Sequence, residues 1–325
     1  MKYNFLSIIC LLFFLTNCKK EPKKISITID SEYLLQNLKT LSHDSLEGRL
    51  IGSEGNHKAQ NFLADQLENL EIPAAFIDGY IQPFPHAVSE ELIQRVFEYD
   101  SIHETIEETS TSDSNIIGGN VVGILPGKIE KTFIITAHLD HLGIKDGLVY
   151  NGADDDASGA AALLTIAGYF KKHPTKHTLI IAALDGEEFG SVGCNFLINN
   201  FPLDLNKVSL NINLDMIGRN ENNELYACGT YHYPKLKNPL ESLETSLILL
   251  FGHDNPNDKD LMDWTYSSDH REFHEKGIPF IYFGEEDHRD YHKPTDTFEN
   301  IDTEYYQEAV KLIISAIQAY DEYLD

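Results

Sequence analysis

A chain of 325 residues with 42% hydrophobic and 24% charged side chains carries enough apolar material for a large core, and its composition excludes wholesale disorder. Its 52 acidic against 25 basic residues leave a net charge of −27. That balance argues against nucleic acid as a partner, because such binding requires clustered Lys and Arg. The same field attracts cations, whether metal ions or free amines.

At the start of the chain Lys2 precedes an apolar run from Phe5 to Leu15. Such a run is too short to span a bilayer comfortably and has the length of a signal-peptide core. The sequence LTNC then leads into KKEPKK, which resembles a bacterial lipobox with Cys18 as the lipidated residue, although Asn17 stands where a smaller residue is usual. This reading gives a signal peptide over 1–17, a tether over 18–30 and a single domain over 31–325. The protein would be exported and held to a membrane by lipid, facing the periplasm or the cell surface, with ordinary secretion as the alternative. Cys194 and Cys228 are the cysteines left for the domain. They form either a pair or two buried thiols, and no CxxC accompanies them.

Leu34, Leu38 and Leu41 predict a first helix over 31–42, and Ala59, Phe62, Leu63, Leu67 and Leu70 a second. Between them LEGRLIGSEGN is punctuated by glycines and reads as a loop. Strand-like pieces follow at 75–84 and 120–125, separated by a polar excursion over 86–115. Three strands then alternate with helices, at 132–137, 178–184 and 208–214. The first of those helices begins near Ser158, with Leu163, Ile166, Ala167 and Phe170 on one face. A helix is expected over 234–251, a loop holding Trp264 over 252–270, and a strand over 278–283. The closing helix has Asp302 as N-cap and places Tyr306, Val310, Ile313, Ile317 and Tyr320 on one face. This alternation is that of an α/β domain.

Chemistry-bearing residues cluster after the strands. AHLDH supplies His138, Asp140 and His141; NGADDDASG supplies Asp154, Asp155 and Asp156; GEE supplies Glu187 and Glu188; Asp215 and His292 follow. An α/β sheet gathers such strand ends into one crevice. Three adjacent carboxylates repel one another unless a cation or basic groups neutralise them. Imidazoles and carboxylates without thiolates suit zinc and other first-row divalent metals. The Asp-x-Asp-x-Asp-Gly pattern of a calcium loop is missing. Asp140, two residues after His138, is placed to fix the tautomer of a metal-bound imidazole. Glu187 and Glu188 are expected to open a helix. Glu285, Glu286 and Asp287, on the approach to His292, either meet a substrate ammonium or form a solvated loop. Ser268-Asp269-His270 lacks a GxSxG elbow and is not read as a catalytic triad.

Taken together, HxD, DDD, GEE, NLDMIG and YHKPTDT resemble the motifs of the co-catalytic dizinc aminopeptidases, the family of aminopeptidase Y and the bacterial leucyl aminopeptidases. Glutamate carboxypeptidases and glutaminyl cyclases are its wider relatives. The resemblance runs from about Leu34 to the C-terminus. It implies a three-layer sandwich with a mixed, mostly parallel central sheet flanked by helices, two Zn2+ per chain, and peptide substrates trimmed at their N-termini. It further implies that Asp155 bridges the two ions, with His138 and Asp215 completing one site and Glu188 and His292 the other. Glu187 would be the general base, Asp140 would orient His138, and Tyr291 would stabilise the oxyanion. The peptide after Asp155 would be cis. A further block, SDHxxF, ends at Phe273 and is expected near the pocket, while Asp296 is expected to steady the His292 loop. A carboxypeptidase or a glutaminyl cyclase is the alternative within the superfamily. A silent binding protein is the alternative outside it, and the five filled ligand positions weigh against that.

Overall fold

The computed structural model describes residues 27–88 and 114–324. The signal peptide, Cys18, most of the tether and the centre of the 86–115 excursion lie outside the described residues. The first helix, α1 (Ser31–Leu41), is capped by Asp30, whose carboxylate accepts from the Tyr33 N–H at 3.0 Å, and it buries Leu34, Leu38 and Leu41 as their spacing predicts. Helix α2 (Glu54–Asn69) is capped by Ser53 in the same way.

One eight-stranded sheet organises the described residues. In chain order the strands are β1 (Ile81–Val88), β2 (Ser114–Leu125), β3 (Thr132–His138), a small separate hairpin β4 (Gly143–Lys145) and β5 (Leu148–Tyr150), then β6 (Thr178–Leu184), β7 (Val208–Leu214), β8 (Glu224–Cys228), β9 (Ile248–Leu250) and β10 (Phe280–Gly284). The sheet runs β1-β2-β6-β3-β7-β10-β8-β9. The four central strands β6, β3, β7 and β10 are parallel, while β1, β2 and β8 join through antiparallel pairs. Strand β3 is buried along its whole length because both of its faces are covered. Phe133, Ile135 and Ala137 face a core shared with α1, α2, helix α3 (Gly159–Lys172) and the C-terminal helix, whereas Ile134 faces Cys194, Leu197 and Phe273 on the other side. Alternate residues of one strand thus feed two helical layers, which makes the three-layer sandwich.

Helix α4 (Val192–Asn199) follows β6, α5 (Lys237–Glu241) and α6 (His270–Glu275) are short, and α7 (Thr303–Tyr323) closes the chain. The Asp302 carboxylate accepts from the N–H groups of Glu304 and Tyr305, and Tyr306, Val310, Ile313, Ile317 and Tyr320 are all buried. Cys194 and Cys228 are two free, buried thiols.

The structure departs from the sequence expectations at two places. Residues 234–251 are not one helix: a 3-10 turn and the five residues of α5 give way to strand β9, which pairs parallel to β8. Leu240 and Leu247, whose spacing reads as helical, both reach the core but from different elements. The piece predicted over 75–84 becomes a strand only from Ile81, preceded by isolated bridges from Ala74 to Gly123 and from Phe76 to Gly79. Among the described residues no helix is long and apolar enough to cross a membrane.

Candidate metal centre

Because β6, β3 and β7 are adjacent and parallel, their carboxyl ends open side by side. His138 closes β3, Glu187 and Glu188 follow β6 by a short turn, and Asp215 follows β7. The loop after β10 returns His292 to the same place, and the segment Ala153–Ser158 lays Asp155 between them.

Asp155 faces two ways. Its Oδ1 lies 3.0 Å from His138 Nε2, which is itself 3.5 Å from Asp215 Oδ1. Its Oδ2 lies 3.1 Å from His292 Nε2, which is 3.5 Å from Glu188 Oε2. Donors on one tetrahedral zinc with bonds of about 2.0–2.1 Å stand about 3.3 Å apart, so each of these four contacts has the spacing of two donors on one ion. The tautomers agree for His138, whose Nδ1 lies 3.2 Å from the Asp140 carbonyl oxygen. That contact places the proton on Nδ1 and leaves Nε2 free to bind metal. Electrostatics call for positive charge here. Burial opposes a charge on His138, yet Asp215, Asp140 and Asp155 outweigh it and hold its pKa well above the ordinary value. The peptide joining Asp155 to Asp156 is cis.

The two flanking acids of the DDD run do other work. Asp156 accepts from the backbone N–H groups of His138 (3.1 Å), Gly159 (2.8 Å) and Met216 (3.3 Å), and so ties the metal loop to the ends of β3 and β7. Asp154 accepts from the Gly218 N–H at 2.7 Å and lies 3.1 Å from His288 Nε2. Glu285, read as meeting a substrate ammonium or lying in a solvated loop, is buried beside Asp154, and burial together with that neighbour pushes its carboxyl well up. Asp154, Glu285 and His288 have donor spacing that could suit a further ion. However, His288 Nδ1 accepts from the Asp290 N–H, which places the ring proton on Nε2 and turns that atom toward Asp154 as a donor. This cluster is a hydrogen-bonded clamp. Asp296 binds the DDD loop directly, accepting from the N–H groups of Asp154 and Asp155 at 3.1 Å each.

Two further expectations need correction. Glu187 and Glu188 do not open a helix; they sit in a turn between Gly186 (φ +78°) and Ser191 (φ +56°), and α4 begins only at Val192. The Asp140 carboxylate explains this, because it accepts the N–H groups of Glu187 at 3.1 Å and Glu188 at 3.3 Å. Consequently Asp140 holds His138 more closely through its backbone carbonyl than through its carboxylate, which is 3.6 Å from Nδ1. The Glu187 carboxylate makes no hydrogen bond or ion pair with the described residues. Burial, with Asp215, Asp269 and Glu188 adding to it, pushes its pKa well up. The Tyr291 ring stacks on His292 at 3.9 Å, and burial beside Asp155 and Glu188 keeps its hydroxyl protonated.

Ser268-Asp269-His270 is not a triad. Ser268 binds Asn213 and lies beside Asp215, while His270 bonds the Trp264 carbonyl and stacks on Tyr282. Burial lowers the His270 pKa to about 3, so it serves as a neutral packing group.

Two residues were present in the motifs but given no role from the sequence. His141 lies 2.8 Å from Glu188 Oε1 through its Nδ1. Arg49, from LEGRLIGSEGN, is buried and donates to the carbonyls of Leu41 (2.7 Å), Leu139 (2.7 Å), Asn151 (2.6 Å) and Gly152 (3.0 Å). It therefore joins the loop of His138 to the loop of Asp155. An arginine in a glycine-rich loop reads as solvated until its acceptors, which are backbone atoms far along the chain, are known. Arg49→Ala would take the donor from the carbonyls of Leu41, Leu139 and Asn151, while that of Gly152 keeps the Ala157 N–H at 3.1 Å, and is expected to cost roughly 3 kcal/mol or more in a urea titration of the apoprotein. A loss under 1 kcal/mol would show that water replaces the guanidinium.

Imidazole and carboxylate donors gathered on the carboxyl edge of a mixed α/β sheet define a candidate centre for zinc or another divalent metal. The chain belongs to peptidase family M28, whose sequence pattern matches residues 120–317. It is 29% identical to aminopeptidase YwaD of Bacillus subtilis over 222 residues, covering 63% of this chain and 45% of that protein. It is 31% identical over 121 residues to the alkaline phosphatase isozyme conversion protein of Escherichia coli, covering 34% of this chain and 35% of the relative. The chain thus spans less than half the length of these curated relatives. Its fold is similar to that of a zinc aminopeptidase from Bacillus subtilis, with a TM-score of 0.67 at 17% identity over 91% of this chain and 96% of the other. The glutaminyl cyclase of Porphyromonas gingivalis shares it too, at a TM-score of 0.66 and 15% identity over 89% and 98% of the two chains.

Proposed function

We propose that this protein is a dizinc exopeptidase that removes N-terminal residues from peptides, and that it is exported and lipid-anchored through Cys18. The observation that carries the catalytic reading is the two-way placement of Asp155, one oxygen toward His138 and the other toward His292. Family membership and the name of the Bacillus subtilis relative support the aminopeptidase reading. The export reading rests on the N-terminal sequence alone.

Zinc bound by these donors polarises a scissile carbonyl and lowers the pKa of a bound water. His138, Asp155 and Asp215 would hold one ion, and Asp155, Glu188 and His292 the other. Glu187 takes a proton from the attacking water as its oxygen bonds to the carbonyl carbon. It then passes that proton to the nitrogen as the C–N bond breaks, so a free carboxylic acid and an amine leave. Tyr291, kept protonated, donates a hydrogen bond to the carbonyl oxygen as negative charge develops on it. Asp140 fixes both the His138 ring and the Glu187 backbone, so a single carboxylate and its carbonyl align base and ligand.

Mass spectrometry of peptide digests, with zinc and with a chelator, tests this reading. Free, N-acetylated and N-terminal Gln peptides are offered together. Metal-dependent trimming from free N-termini is expected. Trimming of acetylated peptides from the other end would instead mean a carboxypeptidase, and loss of ammonia without cleavage a cyclase.

A further inference from the structure

His141 holds an unusual place. Its ring is fully buried, and its slot is shaped by the Asp155 loop: at Gly152, which has φ +53°, an added Cβ would fall 2.5 Å from the His141 ring and 2.0 Å from the Asp155 carbonyl oxygen. Its backbone N–H reaches the carbonyl of Arg49 at 3.4 Å. A neutral imidazole carries one N–H. Nε2 of His141 is buried and has no hydrogen-bond partner among the described residues, whereas Nδ1 lies 2.8 Å from Glu188 Oε1, so the proton belongs on Nδ1.

We infer that His141 is a positioning residue that fixes Glu188 by donating from Nδ1 to Oε1, thereby reserving Oε2 for the ion shared with His292 and Asp155. The inference rests on the two-ion reading and adds a residue to it. Oε2 is the oxygen that faces His292 Nε2, at 3.5 Å. Nδ1 stands farther from Asp155 Oδ2, at 3.7 Å, than from Glu188, so it meets the carboxylate and not the ion. The backbone of Glu188 is meanwhile held by Asp140. Successive residues of AHLDH therefore serve both clusters: His138 supplies a donor to the first, while Asp140 and His141 fix the two ends of a donor to the second.

Chelator-competition titrations of the purified protein with Zn2+ test this, because they resolve two affinities and need no turnover. In His141→Ala the ion at the Glu188 cluster is expected to lose about 10–100-fold in affinity, the range for partners that orient metal ligands. Affinity at the His138–Asp215 cluster is expected to stay unchanged and reports that the chain is folded. His141→Asn, whose side-chain amide can put an N–H near the position of Nδ1, is expected to restore most of the lost affinity. Unchanged affinity in His141→Ala, or an equal loss at both clusters, overturns the inference. So does an asparagine variant as weak as the alanine one, because that result means direct ligation by the imidazole. A wild-type protein that binds one ion overturns the two-ion reading itself, and is recognised before any variant is made.

Discussion

Glu187→Ala is expected to keep the wild-type complement of zinc and to lose about 10²–10⁴-fold in kcat, the usual contribution of a positioned general base. The argument is geometric first. Glu187 and Glu188 are neighbours in one turn, yet only Glu188 is engaged, with His141 on one oxygen and His292 near the other. The Glu187 carboxylate is free of hydrogen bonds to the described residues and stands among His138, Asp215 and Asp269. A group that coordinated an ion would be held as Glu188 is. Burial raises its pKa, the direction that lets a carboxylate accept a proton from water and carry it to the leaving nitrogen. Parallel measurement of kcat and of zinc by mass spectrometry decides the assignment. Zinc lost along with activity would make Glu187 a ligand, and retained activity would move the base elsewhere. Glu187→Gln preserves volume and is expected to fall with the alanine variant, because the amide cannot take the proton.

The central strands were legible in the sequence because β3 and β6 are buried on both faces and read as nearly continuous apolar runs, while β7 alternates Val208, Leu210, Ile212 and Leu214 with Ser209, Asn211 and Asn213. Their ends carry candidate metal donors, and the order of motifs led to five residues, His138, Asp155, Glu188, Asp215 and His292, that the structure brings together. What the sequence concealed is what depends on atoms distant along the chain. Asp154, Asp155 and Asp156 look alike in a row. The resemblance singles out Asp155, but only the folded chain shows what its neighbours do, with Asp156 bound to the N–H groups of His138 and Met216 and Asp154 to that of Gly218. Glu285 reads as a surface acid near His292, but β10 ends just before it and carries it inward against Asp154. The spacing of Leu240, Leu243 and Leu247 fits a helix as well as the helix–loop–strand that forms. The helix ends at Glu241, and pairing with β8 takes Ile248–Leu250 into the sheet.

Asp155→Ala is expected to weaken both ions at once, whereas Asp215→Ala weakens one. The difference follows from position. Asp215 lies 3.5 Å from His138 Nε2 and serves that cluster only, while Asp155 presents Oδ1 to His138 and Oδ2 to His292. Removing it takes a donor from each cluster together with the one negative charge that lies between them. The loss should exceed the roughly 100-fold that follows from disturbing a partner of a ligand, since here the ligand itself goes. Thermal unfolding supplies a second reading. An ion that binds only the folded chain stabilises it by RT ln(1 + [L]/Kd), about 2.7 kcal/mol at a hundredfold excess over Kd, so the wild-type Tm should climb with added zinc. In Asp155→Ala that climb should vanish over the same concentrations, and in Asp215→Ala about half of it should remain. Asp154→Asn makes the control, because Asp154 binds Gly218 and His288 and not the crevice; its zinc-dependent climb should survive even if its apoprotein is less stable. A full zinc response in Asp155→Ala would mean that the two clusters are held independently, and the shared carboxylate on which the dizinc mechanism depends would not exist.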